Sequence, residues 1–182
     1  MVLDNSGKQR HTDIKLSAHP ESFQLEMDGS RIFVNVPDSK QIAVVDREKQ
    51  TVSATWPMKE FQANFPMALD QSNHRLFVGC RTPARLVVFD TTAGKLVSNL
   101  AISGDTDDTF YDAKLKRLYI SCGEGFVDVI DQRDANSYQL RERIATRPGA
   151  RTSFFSAELN EFYLAVPQRG NQDAEIRVFR PQ

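Results

Sequence analysis

The 182-residue sequence has few of the residues that usually announce chemistry. There are two cysteines, Cys80 and Cys122, and three histidines, His11, His19 and His74. Two cysteines cannot build a disulfide scaffold, and their separation matches no zinc-ligand spacing. The histidines fall in dissimilar sequence contexts, so no metal site is expected. No apolar run approaches the roughly 20 residues needed to cross a bilayer. The opening stretch MVLDNSGKQRHTD has no apolar centre of the kind an export signal needs. Neither charge sign dominates: 23 Lys plus Arg stand against 24 Asp plus Glu, a net charge of -1. That balance gives no global field for nucleic acid or an anionic membrane surface. A GxSxG nucleophile elbow and a GxGxxG phosphate loop are both missing, so no catalytic residue and no cofactor are assigned.

What is present is a repeat. RIFVNVPDSKQIAVVD from Arg31, RLFVGCRTPARLVVFD from Arg75, RLYISCGEGFVDVID from Arg117 and EFYLAVPQRGNQDAEIRVF from Glu161 align, their starts 44, 42 and 44 residues apart. Each is preceded by a short strand-like segment: SFQLE at 22–26, PMALD at 66–70, TFYD at 109–112 and SFFS at 153–156. Each of the first three is followed by a more polar strand, at 51–56, 95–102 and 139–146. Four short strands per unit, broken by turn residues and leaving no room for crossover helices, predict an all-β fold. The period is that of β-propeller blades, here four-stranded, antiparallel and four in number. The expected blades cover 19–58, 62–102, 105–146 and 149–180.

The distribution of apolar and polar strands fits that architecture. Blades stack face to face, so middle strands are covered on both faces while the outermost strand borders water. Strand alternation puts Leu76, Val78 and Cys80 on one face and Phe77 and Gly79 on the other, and Leu118, Ile120 and Cys122 repeat the first pattern. The two cysteines therefore point into different gaps and should remain unpaired. Trp56, Phe61 and Phe65 form an aromatic stretch read as edge packing or as a partner surface. At the ends, Met1–Asp4 is similar to the tail of a third strand, residues 11–16 read as an outer closing strand, and the last unit has no fourth strand of its own. Three closures are open: a four-bladed ring, a homodimer making one eight-bladed ring, or part of a seven- or eight-bladed ring with blades missing upstream.

The units reading RLFV…VVFD…GKLV, together with GARTSFFSAELNEFYLAVP at 149–167, resemble the YncE-like, YVTN-type β-propeller family. That resemblance covers nearly the whole chain. It implies a bacterial, often exported protein with a binding or surface-associated role, and so a periplasmic or secreted location.

Propeller ligands usually meet the loops that enter the innermost strands. Glu21, Phe65, Asp107 and Arg151 occupy that position in the four units, with His19, Asp108 and Thr152 beside them. Arg151 is singled out because a guanidinium fork suits a carboxylate or phosphate. The competing view is that these are solvated loop residues or mutually paired charges. Asp105, Asp107 and Asp108 lack the twelve-residue pattern of a calcium loop and read as a polar turn. Gly123-Glu124-Gly125 reads as a hairpin turn. The leading expectation is a non-enzymatic scaffold binding a protein, peptide or small polar ligand at the channel mouth. A hydrolase or lyase with an axial polar site and a structural cell-envelope protein are the alternatives.

Overall fold

A computed structural model of the chain describes residues 2–3 and 10–182, with side chains from Thr12 onward. A short pair, β1 (Val2–Leu3) and β2 (Arg10–Thr12), precedes four antiparallel sheets in chain order. The first contains β3 (Phe23–Leu25), β4 (Arg31–Val36), β5 (Gln41–Asp46) and β6 (Thr51–Pro57). The second contains β7 (Gln62–Asp70), β8 (Arg75–Thr82), β9 (Ala84–Asp90) and β10 (Lys95–Ala101). The third contains β11 (Thr106–Asp112), β12 (Arg117–Cys122), β13 (Phe126–Asp134) and β14 (Ser137–Ala145). The fourth contains β15 (Thr152–Ser156), β16 (Glu161–Val166) and β17 (Glu175–Phe179). Every sheet pairs its strands in sequence order, the all-β arrangement of blade-like repeats that the spacing predicts.

Turn chemistry explains why each unit folds back on itself. Asp46 Oδ1 accepts the amides of Glu48 and Lys49, each at 3.0 Å, and Asp90 Oδ1 accepts those of Thr92 and Ala93 at 2.8 and 2.9 Å. Such Asx turns reverse the chain between third and fourth strands. The amide donors hold both carboxyls below their ordinary range. Gly94 closes the second of these turns at φ +64, where a Cβ would run into the Trp56 indole of the preceding sheet.

The core lies between the sheets. In the first gap Phe33, Val44 and Trp56 meet Leu76, Val78 and Phe89. In the second, Phe77 and Val88 meet Leu118, Ile120 and Ile130. In the third, Tyr119 and Val129 meet Phe155, Phe162 and Leu164. Side chains this well covered each contribute about 1.5–3 kcal/mol by leaving water. Trp56 and Phe61 are buried in the first gap, so the aromatic stretch is interior packing there, while Phe65 stays half-buried. The fourth strands β6, β10 and β14 are largely exposed, as a strand at the water-facing rim must be.

Cys80 and Cys122 lie in the first and second gaps respectively and are unpaired. Burial pushes the Cys80 thiol up to about 12 and raises Cys122 as well. Because the thiolate is the reactive form, neither cysteine should react with Ellman's reagent in the folded protein, whereas both should react in denaturant. A thiol that titrates in the folded protein would show that its gap opens.

The N-terminal region differs from expectation. Strand structure stops at Thr12 rather than running over 11–16, and β2 pairs with β1 rather than closing the fourth sheet. Residues 13–18 instead bend across the first sheet, where Ile14, Leu16 and Ala18 pack on Val34, Val36, Ala43 and Val45. Apolar alternation in this segment serves that covering contact. Met1 and Asp4 lie outside the described residues.

Candidate binding site at one end of the blade stack

Antiparallel order puts the link into each first strand at the same end as the turn between second and third strands. Three of the charged residues singled out in the sequence, Asp105, Asp107 and Arg151, meet at this end. Asp105 and Asp107 come from the entry to β11, Arg151 from the entry to β15, and Arg81 from the end of β8. Arg151 Nη1 lies 2.5 Å from Asp105 Oδ2, and its Nε lies 3.6 Å from Asp107 Oδ2. Arg81 Nη2 lies 2.6 Å from Asp107 Oδ1, and its Nη1 lies 3.3 Å from Asp105 Oδ1. Two guanidinium groups and two carboxylates thus form a closed, charge-balanced ring spanning three sheets. The Arg81 guanidinium also lies over the Phe65 ring at 4.3 Å, a cation–π contact.

Backbone irregularity aims these side chains. The β7–β8 ladder shifts register between Asn64 and Met67, around Phe65, and the β11–β12 ladder shifts between Thr106 and Asp108, around Asp107. A bulge at the same place in two successive first strands re-aims one residue out of the pleat. Asn35 Nδ2 donates to Phe65 O at 3.0 Å, and Ser121 Oγ donates to Arg151 O at 2.6 Å. The first and third blades thereby each fix the next blade's site residue through its backbone. Gly123 allows the close approach: a Cβ there would strike the Asp105 carboxylate and come within 3.2 Å of Arg151 Cδ. The loop 123–125 is a hairpin turn between β12 and β13, with Glu124 Oε2 accepting the Gly104 amide at 2.5 Å.

The structure does not gather all the residues named from the sequence. Asp108 turns the other way and accepts the Ser153 amide at 2.7 Å; burial raises its carboxyl above the ordinary range, and the neighbouring Asp107 charge adds to this. Thr152 lines a separate groove with Ala165, Pro167 and Ile176. His19 Nε2 lies 3.9 Å from Glu21 Oε1, and the Glu21 backbone amide donates to Asn35 O at 2.9 Å. Arg81 was missed because it sits at a second-strand end. Its repeat-equivalents are Pro37, Gly123 and Pro167, so no charged pattern marks the position. Among the described residues, no group of three His, Cys, Asp or Glu is placed to hold a metal ion.

Solved structures match the arrangement closely at low sequence identity. A chain of Kuenenia stuttgartiensis hydrazine synthase superposes with a TM-score of 0.77 at 17% identity, over 96% of this chain and 49% of that one. A chain of the mitotic checkpoint complex gives 0.70 at 14% identity, over 83% and 47%. The Myceliophteria thermophila Cps50 (Swd1) β-propeller domain gives 0.65 at 9% identity, over 83% and 50%. The fold is a stack of β-propeller blades. This chain spans about half the length of each of those chains. No protein-family profile matches it, and no curated protein matches its sequence.

Proposed function

We propose that the chain is a non-enzymatic propeller scaffold that binds a protein or peptide segment at the end carrying Arg81, Asp105, Asp107 and Arg151. The observation that carries this reading is the charge-balanced ring itself. It offers both signs on a firmly positioned backbone, and Arg151 remains 41% exposed. A partner carrying one acidic and one basic side chain can exchange salt bridges with the ring without leaving any charge unpaired. Such an exchange favours specificity over raw affinity. Each charged group faces its opposite, which suits recognition better than proton transfer. The YncE-like character of the repeats adds a bacterial, exported setting to the proposal.

The test is an array of short peptides that vary in paired acidic and basic residues, probed with the wild-type protein and with Arg151→Ala. Wild type should retain peptides that carry both signs. Arg151→Ala should weaken them about tenfold, equivalent to about 1.4 kcal/mol. Equal retention by both proteins would overturn the assignment of this end as the binding surface.

A further inference from the structure

The two outer faces of the blade stack are built as halves of one more blade-to-blade contact. A single cross-strand pair recurs on the face that each sheet turns toward its successor: Phe33 with Val44, Phe77 with Val88, Tyr119 with Val129, and Tyr163 with Val178. The first three pairs are buried in the gaps between sheets. The fourth is not. Val178 is 52% exposed, and its neighbours Phe154 and Ile176 are 59% and 62% exposed. The face opposite is equally regular. Ile32 with Val45 in the first sheet matches Leu76 with Phe89, Leu118 with Ile130 and Phe162 with Phe179, which fill the three gaps from the other side. Beside Ile32, Leu25 is 40% exposed. Ile14, which lies 44 residues before Met58, already covers part of this face, as Met58 does in the first gap. The face is therefore finished as a gap is finished, except for the blade that should lie on it.

We propose that a second copy of this chain supplies that blade, so that two copies close one eight-bladed ring. The fourth sheet of each copy packs on the first sheet of the other, with Phe154, Tyr163 and Val178 against Leu25 and Ile32. Both halves of the contact are present on every copy, so two identical joints form and no apolar face remains open. Edge chemistry points the same way. Among the described residues the outer edge of β17 has no strand partner, and a groove of about 540 Å³ runs beside it, lined by Val129, Ile144, Phe162 and Phe179. In the other three blades a fourth strand occupies this edge. Residues 10–12 lie 44 positions before Ala54–Trp56 of β6, which is the fourth-strand place in the repeat. In the ring, β2 leaves its two-residue pairing with β1 and adds to the partner's β17, a strand-exchange closure.

The experiment is light scattering behind size exclusion across a wide concentration series. The expected mass is twice the 20.6 kDa of one chain, with no larger species. A monomer at every concentration, or a ladder of higher oligomers, overturns ring closure. Val178→Lys and Leu25→Glu should each give a monomer whose far-UV circular dichroism matches wild type. Mixed together they should form a dimer, because one of the two joints is then wild type on both sides and the other sets Lys against Glu. A folded Val178→Lys that stays dimeric, or two folded monomers that fail to associate on mixing, would assign the faces wrongly and overturn the proposal.

Discussion

Phe77→Ala is expected to lower the stability of the chain by about 4 kcal/mol, the range for removing a fully buried aromatic ring. Phe77 has no exposed surface and fills the second gap, its ring 5.3 Å from that of Tyr111 and 5.6 Å from that of Tyr138. Both neighbours belong to the third sheet, which cannot slide inward because β12 and β13 are already packed against the same gap through Leu118 and Ile130. The vacated volume therefore stays open, and the full cavity cost applies. Tyr163 is the natural control: it occupies the same repeat position on the fourth sheet but is only half-buried. At concentrations too low for association, Tyr163→Ala should cost about 1 kcal/mol, the common size for a partly exposed substitution. Urea unfolding followed by tryptophan fluorescence measures both, since Trp56 sits in the adjacent gap. Equal losses in the two variants would mean that the second gap is no better packed than the free face. A stack of blades can also unfold in stages, so a second transition in Phe77→Ala would place the break between the second and third sheets.

The blades were legible in the sequence because they rest on local rules. The 44-, 42- and 44-residue spacing, the two-residue alternation through Leu76–Cys80 and the aspartates that end third strands all act over a few residues or repeat. The site was only partly legible. Repeat alignment brought Asp107 and Arg151 to one end, because inner-strand entries occupy equivalent places in every blade. It also suggested Asp108 and Thr152, which a strand's alternation then turned away to the Ser153 amide and to the free face. The bulges at Phe65 and Asp107 reset that alternation locally, and a bulge has no reliable mark in a single sequence. Arg81 remained hidden for a different reason: its partners are 24 and 26 residues away, set by the packing of the second sheet on the third. The same limit applies in the fourth unit, where Glu161 replaces the arginine that opens the other repeats. Its pair is rebuilt with reversed charge, Arg180 Nε lying 3.1 Å from Glu161 Oε1, against 3.0 Å for Arg75 with Asp90.

Asp128→Ala is expected to cost about 3 kcal/mol, and its effect should reach the end carrying the charged ring as well as the core. Asp128 has no exposed surface, an unusual place for a carboxylate, and its position opposite Ile120 in the β12–β13 ladder directs it into the second gap. Three donors compensate the burial: the Ser103 amide at 2.6 Å, the Ser103 hydroxyl at 2.9 Å and Arg143 Nε at 2.9 Å. Alanine leaves the Ser103 amide buried without an acceptor, and that unpaired donor accounts for much of the loss. Arg143 is 42% exposed and can turn to water, which keeps the cost below that of a fully enclosed pair. Ser103 also anchors the link that carries Asp105 into the charged ring, so releasing it should loosen Asp105 before the blade itself opens. Amide exchange separates the two consequences. In wild type the Ser103 amide should exchange only slowly, protected by its carboxylate acceptor. In Asp128→Ala it should exchange far faster than the amides of Leu118 and Ile120, which lie in the ladder of the same sheet. If all three accelerate together, Asp128 acts on the stability of the whole sheet; if none does, the buried carboxylate holds neither the gap nor the link.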